Sequence, residues 1–287
     1  MTFRHFIIFG PMQVEKIVPV GQKSIQVESK ILGRRVQIDL YFPVLAPGFS
    51  PAPASPEISL LLINDGQDLK TLGLAEMLGD LYARGRISPV LCAGIHAGPE
   101  RNMEYGTAAA PNYRGWGARA GDYTRCVFEE LLPAIRAAGP VTEFKEKAFA
   151  GFSLGALSAM DIVWENPYEF AKAGLFSGSF WWRAKDQSDP AYLDDKDRIM
   201  HQLVRAGSYH PWLRFFFECG TEDEQEDRNH NGVIDSIDDT LDLIKELEAK
   251  GYDAEEAIRY WEIAGGRHEV ATWASAMPAF LEWGWGK

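Results

Sequence analysis

The spacing of hydrophobic and polar positions changes along this chain, and the changes predict its elements. Residues 24–32 and 35–42 alternate apolar with polar around Gly33, as two antiparallel strands at a sheet edge do. Residues 58–63 form a continuous apolar run, the pattern of a strand buried on both faces. The polar loop Asn64-Asp65-Gly66-Gln67-Asp68 follows, then a helical period over 72–84. Further strands are predicted at 89–95, 146–152, 171–176, 213–218 and 257–263, and helices at 123–137, 154–164, 240–250 and 272–283. Strands alternating with helices imply an α/β fold, a mostly parallel central sheet with helices on both faces and an N-terminal antiparallel hairpin. Sites in such sheets lie at the carboxyl ends of the strands, so the loops after Ile63, Ile95, Phe152, Phe176, Glu218 and Ile263 are the ones to search.

Composition narrows the picture. With 287 residues, 46% of them hydrophobic, the chain can bury one substantial core, and no linker or repeat divides 1–287 into more than one domain. The proline-rich stretch 43–56 reads as a surface connection. Lys+Arg 29 against Asp+Glu 41 gives a net charge of -12, which argues against nucleic acid or an anionic membrane as partner. No apolar run reaches membrane-spanning length, and Phe6-Ile7-Ile8-Phe9 is too short for the core of a signal peptide. The 3 cysteines, Cys92, Cys126 and Cys219, read as packed thiols, which suits a reducing, cytoplasmic compartment. Oligomeric state is not encoded in any of these features.

The chemistry concentrates at Gly151-Phe152-Ser153-Leu154-Gly155, where a buried strand, a G-x-S-x-G turn and a helix start follow one another. This is a nucleophile elbow, which holds a serine hydroxyl on a sharp strand-to-helix turn within reach of a histidine. The order that goes with this elbow is serine, acid, histidine. His268, in Gly265-Gly266-Arg267-His268 after the last strand, is the candidate base; His5, His96, His201, His210 and His230 are worse placed. The acid belongs to Glu222-Asp223-Glu224, with Asp223 first choice and Glu222 second. Oxyanion donors are the N–H of Leu154 and a second from the loop after Ile63, Gln67 with Asp68 as the alternative. Phe180, Trp181 and Trp182 stand just past a strand end, either as aromatic walls for an aryl or glycan ester or as caps on the core. Arg101, Glu104, Tyr105, Tyr113, Arg114 and Trp116 lie in a loop on the same face, with Arg101 and Tyr105 taken as substrate contacts.

Four segments in this order, Asn64–Gln67, the elbow, Ser177-Gly178-Ser179-Phe180-Trp181-Trp182 and Gly265–His268, resemble the putative-esterase family of α/β-hydrolases, closest to its enterochelin-esterase-like branch. The resemblance extends from about Ile58 to Trp283. It implies the α/β-hydrolase fold and ester hydrolysis through a serine acyl-enzyme, without a catalytic cofactor, on a small-molecule or glycan ester. Ala156 supplies the small residue usual after the elbow glycine, but Glu269 stands where an aspartate is common. The family spans siderophore, sugar-ester and peptide-like substrates and does not choose among them. A non-catalytic binding scaffold, or acyl transfer on the same residues, are the alternatives.

Residues 227–238 match an EF-hand or dockerin-type calcium loop. Asp227, Asn229, Asn231, Asp235 and Asp238 hold the oxygen-ligand positions, Val233 offers its carbonyl, and Gly232 takes the sharp turn. Asp238 replaces the usual final glutamate. The expectation is a structural Ca²⁺ holding the loop that carries Asp223; the plainer alternative is a solvated acidic loop.

Overall fold

The computed structural model describes residues 20–44 and 58–287, so the first nineteen residues and most of the proline-rich stretch lie outside the described residues. Its centre is an 8-stranded sheet. The strands are β1 (Val20–Ser29), β2 (Arg34–Pro43), β3 (Ser59–Asn64), β4 (Val90–Ile95), β5 (Lys147–Phe152), β6 (Lys172–Phe176), β7 (Arg214–Glu222) and β8 (Ile258–Arg267), in the spatial order β1-β2-β4-β3-β5-β6-β7-β8. β1 and β2 form the expected antiparallel hairpin, closed by Gly33 at φ +69°, and β2 meets β4 antiparallel; every other pairing is parallel.

Period-two alternation divides each central strand between two cores. Leu60, Leu62, Phe149, Phe215 and Phe217 pack on one face with the helices α2 (Ala120–Cys126, a π turn Val127–Leu131, and Leu132–Ala138), α3 (Leu154–Glu165), α4 (Ile199–Ala206) and α5 (Asp235–Lys250). Leu61, Ile63, Phe152, Phe176 and Phe216 pack on the other with α1 (Leu74–Ala83) and α6 (Val270–Trp285). Because β3 is buried on both faces, it carries six buried residues in a row, as its unbroken apolar run predicts. All three cysteines are free and buried. Among the described residues, no helix is long and apolar enough to cross a membrane.

Three boundaries beside the site depart from the sequence reading; in the first, β8 does not stop at Ile263 but runs to Arg267, so Gly265 and Gly266 are strand. β7 does not stop at Glu218 but runs to Glu222 through a bulge between Gly220 and Glu222, so the acid segment begins as strand. α5 begins at Asp235 and not at Thr240. Asp235 and Asp238 lie in its first turn, where the partial positive charge of a helix N-terminus favours carboxylates, so the end of the acidic loop is helical.

Candidate active site

Ser153 sits between β5 and α3 with φ +56° and ψ −122°, a region that L-residues avoid because Cβ meets the backbone. The surroundings impose it. The Ser153 N–H donates to the Phe176 carbonyl at 2.9 Å, and the Ser153 carbonyl accepts from Ala156 at 3.1 Å and Ser179 at 3.1 Å. A Cβ at position 151 would stand 2.3 Å from the Gly155 carbonyl oxygen, and one at 155 would stand 2.7 Å from Asp65 Oδ2. Only glycine fits either place, which is why the elbow needs both.

The loop after β3 packs against this turn. Asn64 Nδ2 donates to the Gly155 carbonyl at 2.8 Å, and the Tyr123 hydroxyl donates to Asn64 Oδ1 at 2.5 Å. Asp65, at φ +58°, receives Arg101 through two bonds of 2.7 Å, and its N–H donates to the Tyr105 hydroxyl. Gly66 is pressed so close to Gly94 that a Cβ would lie 2.3 Å from its carbonyl carbon. Gln67 follows on a short 3-10 turn with its side-chain carbonyl accepting from Ala97 N–H at 3.1 Å. Among the described residues, neither the N–H of Gln67 nor that of Leu154 has an acceptor.

A hollow of about 230 Å³ opens over Ser153, and Ser177, Ser179, Trp181, Asp223, Glu224 and His268 line it. The candidate nucleophile, acid and base thus border one cavity. Ser153 Oγ lies 3.5 Å from Ser179 Oγ. Asp223 Oδ2 accepts the Gly220 N–H at 3.1 Å. Desolvation pushes the Asp223 carboxyl above its ordinary value, against the Ser177 hydroxyl, the Gly220 N–H and the charge of His268, which favour the anion. Desolvation pushes the His268 imidazole down, Asp223 pulls it up, and Arg101 lowers it again. His268 makes no side-chain hydrogen bond among the described residues; its ring meets Trp273 edge-on at 5.4 Å. Such bonds are often long until a substrate closes the site. Of the other carboxylates, Glu222 is an exposed partner of Arg267 at 3.1 Å, whereas Glu224 borders the hollow. His96 pairs with Asp39 at 2.7 Å, and His201 is buried against the Asp239 carbonyl, both away from Ser153.

Two of the four expected substrate contacts need correction. Trp182 is fully buried, its ring against Gly106 and Gly117, and so caps the core. Tyr105 is also fully buried, its hydroxyl serving Asp65 beneath the site. Arg101 pairs with Asp65 and positions that loop, with part of its side chain exposed and its charge acting on His268. Trp181 alone faces the cavity, and it also borders an adjoining hollow of about 390 Å³ with Tyr113, Arg114, Arg183, Asp186 and Glu226. Ser177, Glu218 and Trp273 were not singled out in the sequence, although Trp273 stacks on Phe152 at 4.9 Å and its indole N–H donates to Ser177 Oγ at 2.9 Å.

The acidic loop turns at Gly232, φ +86°. Asp227 accepts the N–H groups of Asn231 at 3.1 Å and Gly232 at 2.9 Å, and the Asn229 and Asn231 amides both donate to Asp238 Oδ2, at 2.9 and 2.8 Å. Asp235 has one oxygen engaged elsewhere: it is buried, and its Oδ1 accepts the Arg228 N–H at 2.8 Å and faces the Arg228 guanidinium at 3.3 Å. Among the described residues, no three His, Cys, Asp or Glu side chains converge as a metal site, so any ion here would rest on Asp227 and Asp238 with neutral oxygens.

The profile of the family described as "Putative esterase" matches residues 29–283. The chain belongs to this family. An uncharacterized Bacillus subtilis protein, YbbA, is 22% identical over 218 residues, covering 74% of this chain and 80% of its own. The fold is similar to that of enterobactin esterase from Shigella flexneri, solved with enterobactin, at TM-score 0.68 and 20% identity. That match covers 95% of this esterase-family chain but 61% of the larger enzyme. A ferulic acid esterase matches at TM-score 0.66 and 16% identity, covering 92% and 97%, and the siderophore hydrolase EstB from Aspergillus nidulans at 0.63 and 17%, covering 97% of each.

Proposed function

We propose that this esterase-family protein is a serine carboxylic-ester hydrolase with Ser153 as nucleophile, His268 as base and Asp223 as acid. The observation that carries the reading is the strained backbone of Ser153, over-determined by its neighbours, at a cavity bordered by both His268 and Asp223. His268 takes the Ser153 proton as Oγ attacks the ester carbonyl, and Asp223 holds the imidazole in the tautomer that can accept it. The N–H groups of Leu154 and Gln67 receive the developing oxyanion. His268 then protonates the departing alcohol, and water releases the acid from the acyl-enzyme by the same path in reverse. The adjoining hollow, with Trp181, Tyr113 and two guanidiniums, suits an aryl or glycan ester. Named relatives that act on enterobactin and ferulic acid esters support that choice. Hydrolysis of a panel of p-nitrophenyl and feruloyl esters by the wild type and by Ser153→Ala tests the reading; equal rates would overturn it.

The loop 227–238 is proposed to hold Ca²⁺ through Asp227, Asn229, Asn231, Asp238 and the Val233 carbonyl, without Asp235. The ion would neutralise paired carboxylates beside α5 and steady the segment that carries Asp223.

A further inference from the structure

Beneath Asp223 lies a second carboxyl that the proposed reaction does not use. Glu218 on β7 is completely buried, paired in register with Phe176 of β6 and Trp261 of β8. Among the described residues, no donor reaches either of its oxygens at hydrogen-bond geometry, nor does one reach Asp223 Oδ1. The donors nearby can be counted. The Ser177 N–H is spent on the Glu218 main-chain carbonyl at 2.8 Å, the Gly220 N–H on Asp223 Oδ2 at 3.1 Å, and the Trp273 indole N–H on Ser177 Oγ at 2.9 Å. Apart from the His268 ring proton that the proposed triad gives to Asp223, that leaves the single hydroxyl proton of Ser177, the side-chain donor beside both carboxyls. One hydroxyl proton cannot serve both carboxylates, and a fully buried, unpartnered Glu218 anion beside the charge of the half-buried Asp223 is strongly disfavoured.

The geometry points to Glu218 as a carboxylic acid at neutral pH, a positioning residue that leaves the Ser177 proton to Asp223 and keeps a second negative charge from beside it. Burial first, and the Asp223 charge second, push the Glu218 carboxyl up to about 8. The other titratable groups that feel Glu218, Cys219 and Tyr260, are themselves pushed up and stay neutral there, and among the described residues no cation pairs with it. As pH rises past 8, Glu218 ionises and competes with Asp223 for the Ser177 hydroxyl, so His268 loses its fixed orientation. This rests on Asp223 being the acid of the proposed triad.

Glu218→Gln, an isosteric neutral donor, separates the outcomes. The expected result is a wild-type kcat that declines above pH 8 and a Glu218→Gln decline displaced upward by at least about one pH unit, with KM unmoved. An identical alkaline decline in both proteins, or its absence in the wild type, would overturn the role. Infrared spectroscopy of Ser153→Ala at pH 7 should show a protonated-carboxyl C=O stretch that Ser153→Ala/Glu218→Gln lacks. Because that band requires no turnover, its absence refutes a protonated Glu218, while its presence together with a wild type that hydrolyses no ester refutes the proposed reaction instead.

Discussion

The indole N–H of Trp273 donates to the hydroxyl of Ser177 at 2.9 Å, joining α6 to the loop after β6. One ring thereby touches three parts of the site: its face lies on Phe152, next to the nucleophile, its edge meets His268, and its N–H fixes Ser177 beside Asp223. Trp273→Phe keeps the stacking but removes the donor. Steady-state kinetics should show kcat lower by about tenfold with KM little changed, and thermal melting a loss of about 1–3 kcal/mol from the stranded hydroxyl. Wild-type kcat in this variant would remove Trp273 from the positioning of the site.

Ser153→Ala and His268→Ala should each lower kcat by roughly a thousandfold or more, since groups that act as a unit fail together. Circular dichroism should show both folded. Near wild-type turnover in either would mean that another pair of residues does the chemistry.

Among the clustered carboxylates, Asp223→Asn should slow acyl-enzyme formation severely, because the amide favours the wrong imidazole tautomer. Glu222→Gln should change little, as its side chain is an exposed partner of Arg267. Pre-steady-state burst rates for the two variants decide between them, and the opposite ranking would move the acid.

Asp161 on α3 accepts the Ala108 N–H at 2.9 Å, and burial, with Glu165 adding to it, pushes its carboxyl up to about 7. A folded-state value above the unfolded one contributes stability that is fully present below about pH 4 and lost as pH rises through about 7. Asp161→Asn cannot ionise and keeps the acceptor. Melting curves should place it a few degrees above the wild type at pH 8, with the advantage gone near pH 4; a constant offset at all pH values would contradict the assignment.

Adding Ca²⁺ to chelator-treated protein should raise the melting temperature, because a ligand of the folded state alone stabilises it by mass action. Asp227→Ala or Asp238→Ala should abolish the rise, and Asp235→Asn should leave the calcium response in place while weakening the fold through Arg228. A calcium response that vanished in Asp235→Asn as well would return that residue to the ligand set.

What could be read directly from the chain was what short stretches enforce by themselves. A glycine-flanked serine after a buried strand admits few backbone paths, so the elbow was legible, and so were strands whose two faces are both apolar. Trp182, just past a strand end, and Tyr105, in the loop after β4, could not be settled because position on the active face is visible in sequence while the direction of a ring is not. The Trp273–Ser177 contact joins residues 96 apart, and Glu218 reads as the last polar residue of a strand until burial shows that nothing pairs with it. Asp235 and Asp238 carried two meanings at once, metal ligand and first-turn helix residue, and only packing against Arg228 separates them for Asp235.

The interlock of Gly155 with Asn64 and Asp65, and of Gly66 with Gly94, has an evolutionary consequence. These contacts leave no room for a single added methyl group, so the half of the site built from β3, β4 and β5 cannot drift without misaiming the nucleophile. The opposite wall, built from Tyr113, Arg114, Trp181 and Arg183, lies on long connections, and Gly115 among them has open space where a Cβ would stand. Divergence in what these proteins accept should therefore accumulate along that wall, and libraries meant to retarget the enzyme belong there, with the glycine joint left untouched.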